Sequence, residues 1–251
     1  MLDLFYEALN FNGLFWVLSA AFLAGIIRGF SGFGTAMVYL PLAAQVLPPV
    51  QAIVSMVLFD LIGIWPTVPR ALKYAKLPDV FRLGLGMVLT TPLGLLALYF
   101  MSQSSFRLLA SVLIILLLLL LIMGVRYRGA LSNRIMLMAG ALGGLFGGSS
   151  GLCGPPVIMI YMASKSAPEI VRANLLLYLI ITDIVLLVLC FSSFDISLFP
   201  IFIGFFAAVP FMVGNIFGSK MFDPKREGVF RMVAYVVIGF SAIYGLPIWN
   251  F

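Results

Sequence analysis

Apolar residues gather into eight runs along the chain, at 14–44, 49–69, 79–101, 106–126, 134–163, 168–193, 198–219 and 228–248, each bounded by turn-forming or charged residues. A helix needs about 20 apolar residues to cross a bilayer, and six of the runs have that length. The first and fifth are about 30 residues long, and each carries a glycine-rich break at its centre. The pattern predicts an all-α integral membrane protein.

The two long runs are related to each other. Sliding the sequence by 119 positions lays Ser31-Gly32 on Ser150-Gly151, Pro49 on Pro168 and Ser55 on Asn174. Phe106-Arg107 and Phe230-Arg231 then match once a few residues are inserted around Asp223-Pro224-Lys225. The chain therefore reads as a short N-terminal segment, 1–13, followed by two repeats, 14–126 and 134–251, of about four segments each. The polar link Arg126-Tyr127-Arg128-Gly129 joins them, and internal symmetry of this kind is typical of transporters.

Composition narrows the class. Of 251 residues, 63% are apolar and 10% charged, against about 45–50% and about 25% in a soluble domain. The mean hydropathy of +1.17 agrees, and a water-soluble globule is excluded. The net charge of +6 comes with no basic block or basic helix, so no nucleic-acid partner is expected. There is no His, and Cys153 and Cys190 stand alone in apolar stretches, so neither a disulfide framework nor a metal site or other cofactor is expected. The N-terminus carries Asp3 and Glu7 but no early Lys or Arg, which does not fit a secretory signal.

The position of the positive charges says more than their sum. Eight plain crossings would put Arg70, Lys73, Lys76 and Arg82 on one face with Arg126, Arg128 and Arg134. Lys220, Lys225, Arg226 and Arg231 would then lie on the other, against the positive-inside rule. If each long run is instead a re-entrant or broken helical hairpin, the loops 70–82, 126–134, 165–172 and 220–231 all become cytoplasmic. The acidic N-terminus, the 45–48 and 194–198 connections, the 102–107 connection with its one Arg107, and the C-terminus then lie outside. Each half makes three full crossings, an odd number, so the two repeats are expected to be inverted.

The breaks themselves are Arg28-Gly29-Phe30-Ser31-Gly32-Phe33-Gly34-Thr35 and Gly147-Gly148-Ser149-Ser150-Gly151-Leu152-Cys153-Gly154-Pro155-Pro156. Non-helical backbone survives at membrane depth only inside protein or beside a wet cavity. The half-helix that follows each break starts with unpaired N–H groups at its positive end, which suits an anion. Ser31, Thr35, Ser149 and Ser150 add hydroxyls. In an inverted pair the two tips would meet near the midplane and hold the anion between them. The competing reading is that small residues here only let helices approach closely.

These paired Gly-Ser-Gly stretches, each followed by a helix start at Pro49-Val50-Gln51-Ala52 or Pro168-Glu169-Ile170-Val171, resemble the TauE/SafE family of membrane permeases. The resemblance covers nearly the whole chain and is closest in GGLFGGSSGLCGPPVIMIYM. It implies a multi-pass protein of the bacterial inner membrane that moves small sulfur oxyanions or organosulfonates such as sulfite and sulfoacetate. It also makes Gly32, Gly34, Gly151, Gly154 and Pro155 the motif positions. Phe33 and Thr35 depart from the longer glycine run common at the first tip.

Three charged residues stand mid-run, away from the ends of the apolar stretches. Arg28, at the edge of the first tip, is costly there, by about 2.5–3.5 kcal/mol on insertion scales, and must face protein or water. It either holds the anion through a bidentate contact or pairs with Asp60 or Asp183. Asp60 and Asp183 lie mid-segment, Asp183 four residues past the repeat partner of Asp60, and are the proton-coupling candidates. Arg172 reads either as an anion funnel or as an interfacial side chain, and Cys153 as a substrate contact or a small buried residue. Gly29-Phe30-Ser31-Gly32 and Gly148-Ser149-Ser150-Gly151 match the G-x-S-G of rhomboid proteases, but without a His or a deep Lys no base can take the serine proton, so no enzyme is expected. The reading that follows is a secondary transporter of small sulfur-containing oxyanions in a lipid bilayer. An anion channel, a non-transporting scaffold and a homodimer remain open at this stage.

Overall fold

The computed structural model describes residues 2–123, 131–161, 167–221 and 227–248. The link 126–129 and the insertion at 223–225 lie outside the described residues. Those residues form α-helices joined by short turns: α1 (Leu2–Leu9), α2 (Leu14–Ser31), α3 (Thr35–Ala43), α4 (Pro49–Ile64), a 3-10 turn (Trp65–Thr67), α5 (Val68–Tyr74) and α6 (Leu77–Tyr99). They continue with α7 (Gln103–Ile122), α8 (Asn133–Ser150), α9 (Gly154–Tyr161), α10 (Pro168–Ser193), α11 (Phe199–Met221) and α12 (Glu227–Gly245). Six of them, in α2, α6, α7, α10, α11 and α12, are long and apolar enough to cross a membrane.

Both long runs break where the glycines predicted. Gly32 ends α2 with φ 79° and Gly151 ends α8 with φ 74°, and each returns its N–H to the carbonyl four residues back, Arg28 and Gly147, at 2.8 Å. A left-handed residue at this point stops a helix, and only glycine takes it without a steric cost. The run 49–69 departs from expectation. Its helix stops at Ile64, because Pro66 supplies no N–H and disfavours helical backbone in the residue before it.

The described residues divide into two compact units that cut across the sequence halves. The first unit comprises 1–63, 102–118 and 190–251. Its main pairing sets α2 from the first half against α11 from the second. A Cβ on Gly25 or Gly29 would strike the backbone of Phe211 or Asn215, and one on Gly214 or Gly218 the backbone of Phe22 or Ile26. Bare glycines thus let the two backbones touch, the small-residue mode of helix packing in membranes. Tyr39, Phe59 and Phe211 fill the centre, with ring centroids 4.7 and 4.8 Å apart along the series. Arg107 donates from Nε to the Gly245 carbonyl (3.1 Å) and from Nη2 to that of Leu246 (2.9 Å), capping the negative end of α12.

The second unit comprises 64–101 and 119–189. Here α8, from the second half, lies on α6, from the first. Cβ atoms on Gly140, Gly144 and Gly148 would meet the backbones of Leu83, Met87 and Thr91, and those on Gly86 and Gly94 the backbones of Leu137 and Leu145. Thr90 adds a 2.6 Å hydrogen bond from its hydroxyl to the Ala141 carbonyl. Gly25 and Gly29 fall on Gly144 and Gly148 in the 119-residue register, so equivalent glycines make equivalent helix pairs in the two units. Leu83, Met87, Met136, Ala139, Cys153, Val157, Tyr161, Tyr178 and Leu179 form the core around the second break.

Candidate functional site

The first tip is built around a buried charge pair. Arg28, in the last turn of α2, points Nη2 at Asp60 Oδ2 of α4 across 3.4 Å. Thr35, the first residue of α3, bridges them: its Oγ1 accepts from Arg28 Nη1 at 3.4 Å and donates to Asp60 Oδ1 at 3.2 Å. All three residues are at most 7% exposed. The two alternatives for Arg28 are thereby narrowed, since its carboxylate neighbour is Asp60. The contacts are longer than the roughly 2.7–2.9 Å of a tight charge-assisted hydrogen bond, so the guanidinium is held but not locked.

Beside the triad lies the start of α3. Gly34 precedes it with φ 98° and no side-chain cap, and the first intrahelical bond is Val38 N–H to the Gly34 carbonyl at 3.1 Å. The N–H groups of Thr35, Ala36 and Met37 precede that bond and form the donor end of the helix. A Cβ on Gly32 would have no atom within 4 Å, so the turn that delivers this helix end is open.

The serine hydroxyls are committed to their own helices. Ser31 Oγ lies 2.6 Å from the carbonyls of Ile27 and Phe33, Ser149 donates to Leu145 at 2.8 Å, and Ser150 donates to Phe146 at 2.8 Å. Each must rotate before it can donate to an anion. The second tip is also poorer in backbone donors. Of the first three residues of α9, only Gly154 has an N–H, because Pro155 and Pro156 have none. Cys153, 4% exposed, is a core residue whose carbonyl accepts from Tyr178 Oη at 3.4 Å. Asp183 is 4% exposed on α10, in the second unit.

Two tyrosine latches were not among the sequence candidates. Tyr39 Oη of α3 pairs with Ser55 Oγ of α4 at 2.8 Å. Asn174 of α10 donates to Tyr161 Oη of α9 at 2.8 Å and accepts the Lys76 N–H at 2.7 Å. The signal was present, since Ser55 and Asn174 coincide in the repeat register. Each tip's following half-helix is thus fastened to the next helix from an equivalent position.

The described residues thus define a polytopic helical membrane protein, with a broken helix in each half and a buried Arg–Thr–Asp triad at the first break. The family model described as "Sulfite exporter TauE/SafE" matches residues 17–245, and the chain belongs to that family. It is similar to the "Probable sulfite/organosulfonate exporter TauE" of Cupriavidus necator, with 26% identity over 226 residues, 86% of this chain and 88% of the relative. No solved structure gives a significant match.

Proposed function

We propose that the protein is a secondary transporter that carries small sulfur-containing oxyanions, such as sulfite, sulfoacetate or a related organosulfonate, across the bacterial inner membrane by alternating access. The substrate's charge is taken up at the first tip, by Arg28 and the N–H groups that open α3, while the second tip shapes the path. The single observation carrying this reading is the buried Arg28–Thr35–Asp60 triad beside an uncapped helix start. An anion approaching Arg28 competes with Asp60 for the guanidinium, and protonation of Asp60 removes that competitor. Proton and anion therefore bind together at this tip. Asp183 is the second proton candidate. The positive loops lie in the cytoplasm and both termini outside, so Lys76, just before α6, and Ser104, in the first turn of α7, face opposite sides.

Proteoliposome flux of labelled sulfite, sulfoacetate and sulfate, with and without a pH gradient, tests the reading. The expected result is saturable flux of sulfite or sulfoacetate that a pH gradient modulates. Absence of flux of every anion overturns the transporter, and flux blind to pH overturns the coupling. Labelling of Lys76→Cys and Ser104→Cys from the same side overturns the topology.

A further inference from the structure

The first half of α6 exposes Leu77, Phe81, Leu85 and Leu89, an apolar strip at four-residue spacing of the kind a crossing helix turns to lipid. Immediately before it, α5 packs inward through Ala71, on a small core with Val80, Ala173 and Leu177. The rest of α5 is open. Arg70 and Lys73 are exposed on it, and Lys76 is exposed just before α6. Trp65, 70% exposed at the start of the 3-10 turn, and Leu72 of α5 are exposed in the same stretch. The three cations are not spent on neighbouring carboxylates. Asp79 pairs with Arg82 at 3.2 Å, and Glu169 lines a cavity with Arg70 without forming an ion pair with it. Among the described residues, no ion pair involves Arg70, Lys73 or Lys76.

We propose that this corner, made of the 3-10 turn, α5 and the start of α6, is a docking surface for phospholipid with an anionic headgroup. The proposal stands apart from the transport reading and needs only that α6 crosses the bilayer. A lipid-facing strip that begins at Leu77 puts Lys76 and α5 at headgroup level. There a Trp ring finds both an apolar and a wet side, and basic side chains reach phosphate while their stems lie on apolar surface. Acyl chains then cover Phe81 and Leu85, and the headgroup answers Arg70, Lys73 and Lys76. A soluble acidic partner would meet the charges but leave Trp65, Leu72 and Phe81 in water, so the mixture of exposed apolar and basic side chains selects a lipid. The attraction is to charge rather than to a fork geometry. Each Lys or Arg near an anionic membrane surface adds about fivefold to the binding constant, and Lys serves as well as Arg. Glu169 cancels part of this gain.

Trp65 is a reporter inside the surface. The purified protein is reconstituted into symmetric phosphatidylcholine bilayers, with part of the lipid replaced by brominated phosphatidylglycerol or brominated phosphatidylcholine. Tryptophan quenching in the wild type, less that in Trp65→Phe, gives the share of Trp65. The two leaflets are alike, so the orientation of the chain does not enter. Phosphatidylglycerol is expected to be preferred at Trp65 by about tenfold at low salt, three cations acting against Glu169. Arg70→Gln, Lys73→Gln and Lys76→Gln should each lower the preference by up to about fivefold, and the triple variant should bring it to parity. Arg70→Lys should leave it unchanged. In 1 M salt, where the screening length is about 3 Å, the wild-type preference should collapse too, a result that needs no variant to fold. Equal quenching by the two lipids in the wild type overturns the proposal, as does a preference that survives the triple variant or 1 M salt. A loss in Arg70→Lys equal to that in Arg70→Gln overturns the point-charge mode of binding. None of these readings depends on whether the protein carries an anion.

Discussion

Arg28 and Asp60 form a pair whose two roles, bracing the fold and yielding to an anion, separate under mutation. At 3.4 Å and an effective dielectric of about 20, Coulomb attraction is about 5 kcal/mol, most of it spent on desolvating two groups that are 7% exposed. Removing one partner loses the attraction but leaves the other charge buried. Arg28→Gln and Asp60→Asn are therefore each expected to cost about 3–5 kcal/mol. The double variant Arg28→Gln/Asp60→Asn buries two neutral amides that still reach Thr35, and should cost no more than either single. The coupling energy is then at least about 3 kcal/mol, the top of the range for groups in one network. Equilibrium unfolding in mixed micelles measures it. The same four proteins are then reconstituted, and the double variant, though stable, is expected to carry no anion. Costs that simply add would refute the paired structure. A double variant with wild-type flux would refute a binding role for Arg28.

Glycines three residues apart should fail differently. Gly29→Ala drives a Cβ onto the Asn215 carbonyl and Ser219 N–H of α11, and should lower thermal stability by about 1–3 kcal/mol or more through overpacking. Gly32→Ala has open space but φ 79°, so it should cost only the left-handed strain of about 1–2 kcal/mol while depressing flux. Equal losses of stability with normal flux in both would contradict the division of labour among the glycines. Asn174→Ala orphans the Tyr161 hydroxyl and the Lys76 N–H, and unfolding should show a loss of about 2–6 kcal/mol, from about 1–3 for each unsatisfied group. Ser55→Ala removes the partner of Tyr39 and a 3.0 Å bond to the Ala52 carbonyl, which lies within the α4 helix, and should lose about half as much. Arg107→Gln removes the cap on α12 and should speed amide exchange near Gly245 at a cost of about 1 kcal/mol, with the pH dependence of flux unchanged.

The breaks and their register were legible because a left-handed glycine is a local requirement. Gly32 and Gly151 announce it 119 residues apart, and the helices end there. Pro66 announced the end of α4 equally plainly, but apolar residues continue to 69 and hydropathy alone carried the run past it. What sequence could not choose was the partner of Arg28. Asp60 and Asp183 are both buried carboxylates mid-helix, and only the packing of α2 against its own unit selects Asp60. Nor did it separate glycines that stop a helix from those that let two helices touch, since Gly29 is helical against α11 and Gly32 left-handed beside open space, a difference that one residue type does not show. The serines carry a contact that sequence did not specify: a hydroxyl near a helix end can turn back to a carbonyl of the preceding turn, and here all three do. Arg107, the one positive charge on the face expected to lack them, has a local task at the end of α12.

The two breaks match in their left-handed glycine and differ in chemistry. In the 119-residue register Arg28 falls on Gly147, Thr35 on Gly154 and Asp60 on Leu179, so every member of the triad is replaced by an apolar or bare position in the second half. The second half also gives up two backbone donors to Pro155 and Pro156. Gly147 cannot regain a side chain cheaply, because its Cβ would sit 3.0 Å from that of Cys153 in a filled core. Two chemically equivalent tips would each carry a buried charge, each needing its own counter-ion in a low-dielectric setting. Concentrating the charge on one tip means that cost arises once. It leaves the other free to act through shape and through its latch, Asn174, which ties the second half-helix to α10 and the α6 start. In the transport reading proposed above, charge recognition falls to the first tip and mechanical coupling to the second.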